Sequence, residues 1–72
     1  MRELFRYEKR GRLRVYMIRW FGGTGELWIA AGTPGNLKLP TRRLTVSNPD
    51  DEDALAADLE QTLRACGWSR IA

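Results

Sequence analysis

The first two thirds of the chain consist of short stretches in which apolar and polar side chains alternate, and the last third holds one stretch in which apolar residues recur every three or four positions. A period of two places neighbours on opposite faces of a strand, whereas spacings of three and four gather them on one face of a helix. Gly and Pro separate the blocks: Lys9-Arg10-Gly11-Arg12, then Gly22-Gly23-Thr24-Gly25 after Phe21, then Thr33-Pro34-Gly35-Asn36 after Gly32. These read as three turns joining strands over about 3–8, 13–21, 26–31 and 37–46. Pro34 presets the second position of a turn and Gly35 accepts a positive φ at the third, so a type II turn is expected there. Pro40 breaks the last strand. Leu37 and Leu39 share one parity and Leu44 and Val46 the other, which a one-residue bulge around Pro40 to Arg42 would repair on an edge strand.

The helix carries its own boundaries. Asn48 or Ser47 supplies a cap, Pro49 suits the first helical position, and acids follow at the positive end of the macrodipole. Leu55, Leu59, Leu63 and Cys66 form one apolar stripe. Cys66 therefore reads as a packing residue. Gly67 suits the left-handed position after the last turn, with Trp68 set against Leu63 in a Schellman arrangement, and Glu60 and Arg64 read as a surface pair one turn apart. The expected fold is α+β: a small antiparallel sheet of three to four strands with one C-terminal helix packed on one face, in the order β-β-β-β-α. A single domain spans 1–72, with the sheet in 1–47, the helix in 48–67 and a tail in 68–72.

Alternation assigns Leu13, Val15 and Met17 to one face of the second strand and Leu27, Ile29 and Ala31 to one face of the third, which the helix stripe should cover. The opposite parity gives Arg12, Arg14, Tyr16, Ile18 and Trp20, with Trp28 and Ala30. One helix cannot cover both faces of a sheet, so these aromatics are expected to meet solvent, a partner or a second copy. A homodimer through Tyr16, Ile18, Trp20 and Trp28 follows as an expectation.

Charge sharpens this picture because it changes sign along the chain. Residues 1–48 carry ten Lys/Arg against three acids, and residues 49–72 carry two against six, beneath an overall +3. A basic sheet beside an acidic helix suits an anionic or a bipolar partner. Arginines interleaved with aromatics on a strand offer guanidinium groups to phosphates and flat rings to unstacked bases. Arg12, Arg14, Arg42 and Arg43 are the expected phosphate contacts, with Tyr16, Trp20 and Trp28 as contact surface. In plan, strands before one helix resemble the small DNA-binding domains that lay a three-stranded sheet in the major groove, as in the arm-binding domains of phage-type integrases. That resemblance implies DNA binding by the sheet and assigns no individual residue.

Composition narrows the chemistry. Histidine is absent and the one cysteine has no partner for an internal disulfide, so neither a catalytic constellation, a metal site nor a cofactor is expected. The glycines of residues 22–25 join two strands and lack the helix and the Lys-Ser/Thr ending of a phosphate loop. Asp50, Asp51, Glu52 and Asp53 exceed what capping requires and form a possible acidic docking patch. No segment is long and apolar enough for a membrane span or a leader, which points to a cytoplasmic protein without a membrane partner. The leading expectation is a non-catalytic module that binds DNA or RNA. The alternative is a protein-binding inhibitor of the kind phages and mobile elements direct at a host protein or nucleoprotein complex such as CRISPR machinery.

Overall fold

The computed structural model describes residues 1–71 and shows an α+β fold, a six-strand antiparallel sheet with one C-terminal helix. The strands are β1 (Arg2–Lys9), β2 (Arg12–Phe21), β3 (Thr24–Thr33), β4 (Asn36–Leu37) and β5 (Thr41–Val46). A 3₁₀ turn (Pro49–Asp51) then leads into α1 (Glu52–Ala65), and β6 (Ser69–Ile71) follows. The order across the sheet is β4-β3-β2-β1-β6, and β5 also pairs with β3. Pro40 divides the expected fourth strand in two, because proline cannot donate to a ladder. β4 joins β3 at Gly32 and Thr33, and β5 joins it between Gly25 and Ile29. Residues 69–71, expected as a tail, pair with Arg6, Tyr7 and Glu8 of β1.

Local signals hold well at the hairpins and the helix ends. Arg10 and Gly11 both take positive φ (51° and 77°), the pattern of a type I′ turn, whose twist matches that of the flanking strands. Gly35 does not take the positive φ of a type II turn; the positive angle at that corner belongs to Gly32. Asn48 caps the 3₁₀ turn by accepting from the Asp50 N–H at 3.0 Å, with Pro49 next to it. At the other end Gly67 has φ 88°, the Trp68 N–H donates to the Leu63 carbonyl at 2.9 Å, and the Gly67 N–H donates to that of Arg64 at 3.0 Å. Those two bonds are the Schellman pair. Gly67→Ala is therefore expected to cost on the order of 1 kcal/mol through strain at the left-handed position. An unchanged urea midpoint would refute it.

Packing reverses the expected faces of β2. Tyr16 pairs with Ile29, Ile18 with Leu27 and Arg14 with Ala31, so the even positions of β2 share a face with the odd positions of β3. That face lies under the helix: Phe5, Tyr7, Tyr16, Leu27 and Leu63 form one buried cluster, joined by Leu4, Ile29, Ala56, Leu59 and Trp68. A bulge in β1 between Glu3 and Phe5 lets Leu4 and Phe5 both pack here. Leu13, Val15 and Ala30 cluster separately, with Met17 and Ile71 against them. The corrected assignment leaves Tyr16 only 3 % and Ile18 only 1 % exposed. The patch from which a homodimer was inferred is thus not a surface, and only Trp28 of its four residues remains on the open face. Cys66, expected in the apolar stripe, is exposed.

Polar contacts tie the helix down at its start and beyond its middle. Glu52 accepts from Trp20 Nε1 at 3.1 Å and from Arg2 at 2.6 Å. Both contacts hold its carboxyl below the ordinary range, the indole first and the guanidinium second. Trp20 lies so closely over Gly25 that a Cβ there would meet its ring at 2.7 Å. Further along, Glu60 accepts from the Tyr7 hydroxyl and from Arg70, each at 2.9 Å, in place of the expected pairing with Arg64. Burial, and then the Glu60 carboxylate, push the Tyr7 hydroxyl pKa up.

Candidate functional site: a basic end and its groove

The sign change along the chain becomes a separation in space. Lys9 Nζ donates to the Cys66 carbonyl at 2.5 Å, so the Arg10-Gly11 turn and the helix C-terminus share one end of the molecule. Trp20 and Arg2 reach Glu52 at the other end, where Asp50, Asp51 and Asp53 lie exposed at the start of the helix. The molecule measures 36 Å along its longest axis.

Ion pairing accentuates the contrast. Arg2, Arg6, Arg19, Arg42 and Arg70 each meet a carboxylate. Lys9, Arg10, Arg12, Arg14, Lys38, Arg43 and Arg64 have no acidic partner within 4.0 Å among the described residues. Arg12 and Arg14 border a shallow depression with Trp68, and Arg14 stacks over that ring at 4.4 Å. Arg14 and Arg43 flank a groove of about 410 Å³ whose remaining lining is Leu27, Ile29, Ala31, Leu44 and Leu59. The groove lies on the helix face, where Leu59 of α1 stands beside Leu27, Ile29 and Ala31 of β3 and Arg43 and Leu44 of β5. A bulge in β5, between the Leu27–Leu44 and Trp28–Arg42 pairs, turns both Arg43 and Leu44 toward it.

The residues expected to form one platform are therefore divided. Arg12, Arg14 and Arg43 lie on the helix side, beside the groove and depression. Tyr16 is buried beneath the helix and Trp20 is engaged by Glu52 and Gly25. Trp28 and Arg42 belong to the opposite face. There Glu26 accepts from Arg19 at 2.7 Å and from Arg42 at 3.0 Å, and the Arg19 guanidinium lies over Phe21 (4.6 Å) and Trp28 (5.2 Å). The buried Trp28 Nε1 has no hydrogen bond of good geometry among the described residues, although it lies close enough to Glu26 to favour its ionised form. Lys9, Arg10, Lys38, Arg64 and Trp68 are not among the site residues expected from sequence. The signal available for the first two was their position in a turn of four consecutive residues, three of them basic.

Arg19, and then Arg42, hold the Glu26 carboxyl below the usual range. A depressed folded value contributes stability that is complete above the unfolded pKa of about 4.3 and is lost as pH falls through the folded one. Glu26→Gln should accordingly flatten the fall of the urea midpoint below about pH 4. An acid limb identical to that of the parent chain would show that this ladder does not contribute.

No cluster of three His, Cys, Asp or Glu side chains suited to a metal occurs among the described residues. No helix is long and apolar enough to cross a membrane. Comparison with known protein families, curated proteins and solved structures finds no match to this chain.

Proposed function

We propose that the protein is a non-catalytic module that binds nucleic acid through the phosphate backbone at its basic end. The observation carrying this reading is the sorting of the cations: five arginines pair with four carboxylates, while Lys9, Arg10, Arg12, Arg14, Lys38, Arg43 and Arg64 have no acidic partner among the described residues. Lys9 and Arg10 line a hollow with the helix C-terminus, Arg12 and Arg14 the depression beside Trp68, and Arg14 and Arg43 the groove. Unneutralised guanidinium and ammonium groups gathered together release counterions when phosphates replace them, whereas an arginine already held by a carboxylate gains little. The acidic start of the helix, at the far end, would orient the module on a polyanion by repulsion. Base stacking has a smaller part in this reading than the sequence suggested. Tyr16 and Trp20 are occupied within the fold, and Trp28 and Trp68 each lie beneath an arginine.

Arg10→Ala, Arg12→Ala and Arg64→Ala combined should weaken binding to duplex DNA, single-stranded DNA or RNA. Each removed phosphate contact should reduce the slope of log affinity against log salt by about 0.9 on a duplex. Arg19→Ala, which removes an arginine held by a carboxylate on the opposite face, should leave the slope unchanged. Absence of binding to all three polymers at low salt would overturn the reading.

A further inference from the structure

The edge formed by β4 and β5 has features that phosphate binding does not require. β5 pairs with β3 on one side only, and no strand covers its outer edge among the described residues. An open edge presents unpaired backbone donors and acceptors, and long apolar edges are normally avoided for that reason. Here the five exposed large hydrophobic residues include Leu37, Leu39 and Leu44, and Leu39 is 89 % exposed. Beside Leu44 lies the apolar groove that the helix leaves uncovered. Residues 33–46 contain Lys38, Arg42 and Arg43 and no acid.

We infer that β5 accepts an extended acidic peptide of a partner protein as an added strand, with apolar side chains of the peptide seated against Leu44 and the groove and carboxylates meeting Arg43 and Arg14. Three features select this occupant. The free edge supplies main-chain hydrogen bonds, and the groove supplies a pocket for alternate side chains, the two parts of recognition by strand addition. The cations supply the sign. A second copy of this chain is disfavoured at the same place, because two-fold pairing of β5 would bring Arg42 and Arg43 toward their own counterparts. The charges that prevent self-pairing thus admit a partner of opposite charge. This surface lies along the edge and its groove and extends beyond the phosphate-binding reading, with which it shares Arg14 and Arg43.

The test uses a synthetic nine-residue peptide with glutamate and valine in turn at its odd positions and threonine at its even ones, so that both kinds of side chain reach the groove face, and the same peptide methylated at alternate backbone nitrogens. The unmodified peptide should bind and slow amide exchange within Thr41–Val46, and methylation should weaken binding by about tenfold or more by removing strand hydrogen bonds. Arg43→Glu should produce a loss of similar size. The triple variant Arg10→Ala, Arg12→Ala, Arg64→Ala should bind the peptide as the parent chain does, which separates this surface from the phosphate contacts. Equal binding of the methylated peptide, protection confined to other amides, or no binding at low salt would overturn the inference. Leucine-dependent binding to phosphatidylserine vesicles without any peptide binding would also overturn it and assign the edge to a lipid surface. Protection of Thr41–Val46 that rises with protein concentration alone would assign the edge to self-association.

Discussion

Leu63→Ala is expected to leave the chain largely unfolded at room temperature. Leu63 is 5 % exposed and is the one residue of α1 within the buried cluster, where it meets Phe5, Tyr7, Tyr16 and Leu27 from three different strands. Truncating such a side chain removes its transfer free energy and leaves a cavity, together about 2–5 kcal/mol. A core in a domain of this size supplies only about 3–5 kcal/mol in total. The effect should appear as loss of near-ultraviolet dichroism and of a cooperative urea transition. Leu39→Ala, at an 89 % exposed position, should stay within about 0.5 kcal/mol of the parent. A Leu63→Ala variant that keeps its midpoint would mean that the helix is not held by this contact.

Gly32→Ala should be nearly as damaging, for a reason in the backbone. Gly32 has φ 156°, and a Cβ built on it would overlap the Asn36 carbonyl oxygen and come within 3.1 Å of the Leu37 Cα. Both obstacles are main chain of β4, fixed by its pairing with β3 at this residue, so neither can swing aside as a side-chain end would. The combined strain is expected to cost about 2 kcal/mol. Gly35, three residues on, has open space around it and no positive φ. Gly35→Ala should be neutral or slightly stabilising. Equal urea midpoints for the two variants would remove the close approach from the account of this corner.

These positions also mark where the sequence is legible. The helix ends could be read because the interactions that set them are local: Asn48 and Pro49 act within one turn, and Gly67 and Trp68 satisfy carbonyls only a few residues back. The strands were legible from alternation and the turns from Gly and Pro. The faces were not, because β2 carries large apolar side chains at both parities, Leu13, Val15 and Met17 against Tyr16, Ile18 and Trp20. Only register decides between them. Phe21 pairs with Thr24 across Gly22 and Gly23, and this two-residue turn places odd positions of β2 opposite even positions of β3. Grouping Leu13 with Leu27 would have needed a turn of odd length. β6 escaped notice for a related reason: three residues, one of them apolar, carry no period, and only the exposed edge of β1 makes them a strand. The candidate site shared this fate, since the face carrying Tyr16 and Trp20 was expected to be open and is the one the helix covers.

Each end of the helix is held next to a different indole: Trp20 bonds to Glu52 at its start, and Trp68 lies against Leu63 and beneath Arg14 at its close. The third indole, Trp28, sits on the opposite face of the sheet. The molecule consequently contains its own optical reporters of partial opening. Chains retaining one tryptophan at a time would show whether the helix leaves the sheet as a rigid lid, with the Trp20 and Trp68 signals changing together, or peels from its 3₁₀ start, with Trp20 changing first while Trp68 holds. Trp28 would remain silent until the sheet itself came apart.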